Sequence, residues 1–146
     1  MLSNTCKYAI RSVLYIALHS KNNEKIGIKP ISEGLNIPSP FLGKILQVLS
    51  KKKILNSSKG PHGGFSLRKD VDDICMIEIV EAIDGLDFFN SCIIGLNSCT
   101  ENPNEAPCPL HNKYGAIRDQ VFELFKTETI GGMVEKIKES KGKIHL

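Results

Sequence analysis

The chain has 146 residues, 41% hydrophobic and 24% charged, which fits one domain, or a small domain with an extension, of ordinary globular composition and excludes a disordered or membranous chain. No apolar run approaches the roughly 18 residues that span a bilayer, and the stretch Val13-Leu-Tyr-Ile-Ala-Leu18 is too short for a secretory apolar region, so the sequence predicts a cytoplasmic protein with reduced thiols and no membrane partner. The net charge of +3 hides a split: residues 1–70 carry 12 Lys or Arg against 3 Asp or Glu, and residues 71–146 carry 7 against 13. A basic half suits nucleic acid, although charge alone describes a solvated face equally well.

From Thr5 to about Ser20, Ala9, Val13, Ile16 and Ala17 recur at helical spacing, which predicts an amphipathic helix. The next stretch, "KNNEKIGIKP", has no period and reads as a connection. A short helix is expected near Ile31 to Leu35, ended by Asn36-Ile37-Pro38 because proline disfavours a helical residue before it and lacks the donor a continuing helix needs. Ser39 as N-cap and Pro40 in the first turn restart a helix. There Leu42, Ile45, Leu46 and Leu49 form one apolar stripe, leaving Pro40, Lys44, Gln47 and Lys51 on the opposite face. Cations meet phosphates and amides read base edges, so that face suits a DNA major groove; an ordinary surface helix has the same pattern.

The segment "ILNSSKGPHGGFSLRK" predicts a β-hairpin with strands at Ile54 to Lys59 and Phe65 to Arg68. Gly63 and Gly64 are expected to supply the positive φ of the turn. Lys59, His62 and Arg68 then lie on or beside a basic wing. The order helix, turn, second helix, hairpin is that of a winged helix-turn-helix. "GPHGG" lacks the helix and the Lys-Ser/Thr that a phosphate-cradling loop needs. Beyond the wing, Asp72 and Asp73 are expected to cap a helix from about Ile74 to Ile83, with Cys75 inside it as a small core residue.

The segment "CIIGLNSCTENPNEAPCPLH" places three of the five cysteines and a histidine in a proline-containing loop, spaced Cys92-x6-Cys99-x8-Cys108-x2-His111. Thiolates and imidazole hold iron–sulfur clusters. The same set suits a tetrahedral zinc ion, and free or reversibly oxidised thiols are the third reading. After the loop, Tyr114, Ile117, Val121 and Leu124 make a heptad seam over residues 112–126, with Phe122 and Phe125 alongside. That much apolar surface invites a second copy. From Thr127 a short helix is weakly indicated, because Gly131-Gly132 interrupts it.

Taken together, "CKYAIRSVLYIAL", "ISEGLNIPSPFLGKILQVLSKKKIL", "SKGPHGGFSL" and "IVEAIDG" resemble the Rrf-two-type winged helix-turn-helix transcriptional regulators (IscR- and NsrR-like), from Leu2 to about Phe125. The resemblance implies a mainly α fold with a small β-hairpin wing and a long C-terminal dimerisation helix. It divides the chain into a DNA-binding domain (1–85), a cysteine-rich sensor loop (86–111), and a dimerisation helix with tail (112–146). It further implies a homodimeric repressor of double-stranded DNA with a palindromic operator; no nucleophile–base pairing or paired carboxylates stand out in the sequence, so no enzyme activity or small-molecule substrate is expected. By position, the family's base-reading segment falls on Ser39, Pro40, Phe41 and Gly43, and the minor-groove cation on Lys59, where relatives often have Arg. Gly43 stands where some relatives carry a carboxylate, and His62 where a glycine is common. Cluster-binding members imply a 2Fe–2S cluster on Cys92, Cys99, Cys108 and His111. Lys7 stands where other members place an acidic ligand, which leaves His111 as the fourth. A zinc- or thiol-dependent regulator of the same fold is the alternative, and an iron–sulfur carrier ranks behind both.

Overall fold

The computed structural model describes residues 2–94 and 108–140. Helix α1 (Asn4–His19) is followed by α2 (Ile28–Leu35), α3 (Ser39–Lys51), an antiparallel hairpin of β1 (Leu55–Ser58) and β2 (Gly64–Leu67), α4 (Met76–Ile83), α5 (His111–Thr127) and α6 (Ile130–Glu139). The fold is mainly helical with a small β-wing, as the sequence predicts. Helix α1 is the hub, packing against α2, α3, α4 and α6. It buries Cys6, Ala9, Ile10, Val13, Leu14 and Ile16, and against them lie Ile31, Leu42, Ile45, Leu46 and Leu49, the last four being the predicted stripe of α3. Truncating one such fully buried leucine costs about 2–5 kcal/mol through lost transfer energy and the cavity left behind. The start of α1 is clasped to the end of α4: the Ser3 hydroxyl and backbone N–H both donate to the Asp84 carboxylate, while Ser3 Oγ accepts from Cys6 N–H.

Several local expectations shift. Helix α2 begins at Ile28 rather than Ile31, since Pro30 occupies the first turn, where its missing N–H has no partner to lose. Pro38 is the N-cap of α3, so Ser39 is its first residue and Pro40 its second. Asp72 and Asp73 do not cap α4. They sit in a 3-10 turn (Val71–Asp73) whose cap is Asp70, its carboxylate accepting from Asp72 N–H. Ile74 is buried but precedes the helix. Cys75 is the N-cap of α4 rather than a core residue, and the Glu78 side chain accepts from its N–H.

The weakly indicated C-terminal helix is well formed and returns to the basic module. Thr129 caps α6 through Gly132 N–H, and a short bridge ties Ile130 N–H to Ile74 O and Met76 N–H to Glu128 O. Ile130, Val134 and Ile137 are buried. Gly131 lies close under the exposed Asp72 side chain: a Cβ there would lie 1.8 Å from Asp72 Oδ1, so that carboxylate would have to turn aside.

Candidate nucleic-acid interface and thiol site

Helices α2 and α3 meet through a tight turn. Asn36 takes left-handed backbone angles (φ 53°, ψ 47°), which asparagine tolerates better than most residues. Ile37 is buried and its N–H donates to Ser32 O, while the Ser32 hydroxyl donates to Ile37 O. This turn fixes α3 with its leucine stripe inward. Pro40, Phe41, Lys44, Gln47 and Lys51 are exposed on the outer side, whereas Ser39 and Gly43 are half-buried. No side chain caps α3 and its first turn holds no acid, so its electropositive end is open to an anion. Phe41 stands edge-on to Tyr8 of α1, with ring centroids 5.8 Å apart. A Cβ at Gly43 would lie 3.2 Å from Ile28 Cδ1, so a longer side chain there needs α2 to give slightly. Val48 is an exposed apolar residue of α3 that charge and amide pattern do not mark; its position seven residues after Phe41 is the signal in the sequence.

The wing pairs Leu55 with Leu67, Asn56 with Ser66, Ser57 with Phe65 and Ser58 with Gly64. Leu55 and Leu67 are buried and anchor it, and an Ile26–Phe65 bridge holds its other edge. Positive φ falls on Gly60 (104°) and Gly64 (150°) rather than on Gly63. A Cβ at Gly64 would lie 2.5 Å from Ile26 O, so that bridge needs a glycine there. Lys59 and His62 are exposed between the strands, and Arg68 is exposed just after β2. The predicted α3 and wing cations are thus all solvent-facing, and none of Lys44, Lys51 and Lys59 forms a salt bridge among the described residues.

Of the predicted thiol set, Cys99 lies outside the described residues. Cys92 and Cys108 come together, with 3.7 Å between their sulfur atoms. Cys92 follows a 3-10 turn (Asp87–Phe89) closed by Asn90 N–H, Ser91 N–H and the Ser91 hydroxyl, all donating to Asp87 O. Cys108 is fixed from the other side, its carbonyl accepting from the N–H of His111, the first residue of α5. Two sulfurs bound at about 2.3 Å to one tetrahedral metal ion lie about 3.8 Å apart, so the separation is compatible with a shared ion as well as with plain thiol contact; among the described residues no three His, Cys, Asp or Glu side chains come together as a metal-holding group. Cys6 is different: it is fully buried, and burial, with Asp84 nearby, pushes its thiol up to about 12, which keeps it neutral and a poor ligand.

Helix α5 splits the predicted seam. Val121 packs with Phe122 and Phe125 against its own chain, and Tyr114 is half-buried. Phe89 is the contact point, edge-to-face with Phe122 at 5.2 Å and Phe125 at 5.8 Å. Ile117 and Leu124 remain 57% and 52% exposed, and Leu110 extends their line at 41%. Steps of seven residues drift only about 20° around a helix, so these three form one exposed apolar stripe. No residue of this 17-residue helix is fully buried in the single chain.

A family model described as "Rrf2: Iron-dependent Transcriptional regulator" matches residues 2–136. An HTH-type transcriptional regulator of Aquifex aeolicus is 32% identical over 134 residues, covering 92% of this chain and 91% of its own length. The HTH-type transcriptional regulator IscR of Escherichia coli O1:K1 is 25% identical over 146 residues, with 99% and 87% covered. Among solved structures, CymR, the global cysteine regulator of B. subtilis, superposes with a TM-score of 0.75 at 18% identity, covering 93% of this chain and 97% of that one. T. potens IscR gives 0.73 at 17% identity, with 100% and 93% covered. These two likenesses establish the fold.

Proposed function

Because the chain belongs to the Rrf2 family of transcriptional regulators, we propose that it is a repressor that binds a palindromic operator as a homodimer, under the control of a 2Fe–2S cluster. Cys92, Cys99, Cys108 and His111 are the ligands on this reading, and the observation that carries it is the 3.7 Å approach of Cys92 and Cys108. That approach brings together two soft donors sixteen residues apart, at the spacing of ligands to one ion. The cluster, when bound, supplies a centre whose oxidation state or loss changes the charge and the restraint on the loop. The chain's own residues do the rest. Ser39, Pro40, Phe41, Gly43, Gln47 and the newly exposed Val48 meet base edges, while Lys44, Lys51, Lys59 and His62 meet backbone or groove walls. Tyr114, Ile117, Val121 and Leu124 form the dimer contact, with Ile117 and Leu124 contributing most because they are the residues left exposed.

The matched relatives are transcriptional regulators and not enzymes, which also sets the carrier reading aside. The sulfur separation suits zinc as well as iron, so a zinc-dependent regulator is the second reading. The test is the absorption spectrum and metal content of protein purified without oxygen. Visible bands with iron and sulfide support the cluster, stoichiometric zinc supports the second reading, and colourless, metal-free protein that cannot be reconstituted refutes both.

A further inference from the structure

Building on the operator-binding reading, on which this step rests, we infer that Phe41 and Val48 of α3 select the operator by packing on thymine 5-methyl groups in the major groove. Among the described residues 2–85, Phe41 and Val48 are the large hydrophobic side chains left exposed, at 39% and 37%. Both belong to α3, whose leucine stripe faces the core. Seven residues apart, they drift by only about 20° around the helix and form one ridge. They stand about 10 Å apart along its axis, a span of about three base-pair steps at 3.4 Å each.

The surroundings of this ridge decide what covers it. Lys44 and Lys51 are exposed beside it, and α3 from Ser39 to Lys51 carries no aspartate or glutamate. An apolar ridge bordered by cations suits a partner with anions at its edge and apolar groups within, and a DNA major groove is such a surface. There the apolar group on a base edge is the 5-methyl of thymine, and phenylalanine is among the side chains that meet it. Cytosine presents an amine donor instead, which a carboxylate accepts, and α3 has no carboxylate to offer. Lys44 and Gln47 are left for phosphates and purine edges.

Phe41 is also held ready. Tyr8 of α1 stands edge-on to it, with ring centroids 5.8 Å and planes 87° apart, so less side-chain freedom is lost when a base packs against the ring. Val48 is β-branched and stiff at its first torsion. Covering one methyl group corresponds to about a fourfold change in affinity. One thymine on each of the two side chains therefore gives about fifteenfold per half-site.

The test uses duplexes selected from a random pool by the full chain and remade with uracil in place of thymine. Uracil pairs as thymine does and lacks the methyl. The wild type should bind the uracil duplex at least threefold more weakly than its thymine parent. The double variant Phe41→Ser/Val48→Ser should lose more than half of that ratio. Both positions are exposed, so the fold should be kept. Where the double variant binds too weakly to titrate, each single serine variant should show a smaller ratio than the wild type. Selected duplexes that share no thymine, a wild-type ratio below threefold, or an undiminished ratio in the serine variants would overturn the inference and leave operator binding standing. A chain that selects no duplex at all would overturn operator binding, and the inference with it.

Discussion

If the proposed homodimer forms through the exposed α5 stripe, replacing Ile117 and Leu124 together with glutamate should convert it to folded monomers. Fully burying a leucine or isoleucine side chain contributes about 1.5–3 kcal/mol. These two are 57% and 52% exposed in the single chain, so covering the remainder contributes about 0.8–1.5 kcal/mol each. Two such residues on each of two protomers give about 3–6 kcal/mol. At about 1.4 kcal/mol per decade, losing even the lower figure raises the dissociation constant about a hundredfold, before the cost of burying four carboxylates is added. Both side chains face solvent in the single chain, so its helical content and melting should change little. Sedimentation at micromolar concentration reads the outcome. A wild-type monomer, or a doubly substituted chain that still sediments as a dimer, would refute the assignment of the stripe. Val121 is a poorer probe because it also packs on its own subunit.

Lys59→Ala should weaken duplex binding and lower the slope of log affinity against log salt by about 0.9, one phosphate's worth of released counterions; a titration at several salt concentrations checks it. Serine at Cys92, Cys99 or Cys108 should abolish visible absorption of anaerobic protein, whereas serine at Cys6 or Cys75 should leave it. Stability should also fall in alkali through Cys6. Its folded thiol, held neutral at about 12 against an ordinary 9.0, keeps its proton after the unfolded chain has lost it. The contribution is full below pH 9 and is lost as pH rises from 9 towards 12, by about 1.4 kcal/mol per pH unit. Urea titrations should show that loss in the wild type relative to Cys6→Ala, and parallel pH profiles would refute it.

The parts legible in the sequence are those where one period governs a whole element. The α3 stripe of Leu42, Ile45, Leu46 and Leu49 and the antiparallel wing needed no tertiary information beyond a core to face. The parts that were not legible are those where distant residues decide. Asp70, Asp72 and Asp73 are all locally acceptable caps, and the choice of Cys75 as the N-cap of α4 goes with the bridge to Thr129, 54 positions later in the chain. Two glycines in α6 each lower helix propensity by about 1 kcal/mol, yet burial of Ile130, Val134 and Ile137 overrides that. Heptad spacing marks the α5 seam as one face, but a helix docked along one flank presents two apolar faces, and the spacing alone does not say which is already covered.

Helix α5 is where the proposed sensing and the proposed DNA binding have to meet. Its first turn carries His111 beside Cys108, its middle carries the exposed stripe, and its end leads through Glu128 and Thr129 into the bridge with Ile74, Cys75 and Met76. Seventeen residues at 1.5 Å each make a rod of about 25 Å. A displacement imposed on its first turn is therefore carried to its far end, unless contacts along the way hold it. Within the single chain those contacts run along one flank, Val121, Phe122 and Phe125 against α4 and Phe89, and no residue of the helix is fully buried. By contrast α1, with six buried hydrophobic residues, is fixed. A ligand shifts an equilibrium only by its different affinity for the two states, and the smallest difference suffices where the moving element is held least. On the proposed reading, gain or loss of the cluster at Cys92 and Cys108 thus acts on the weakly held helix, and the partner's matching stripe converts its change of angle into a change in the spacing of two recognition helices.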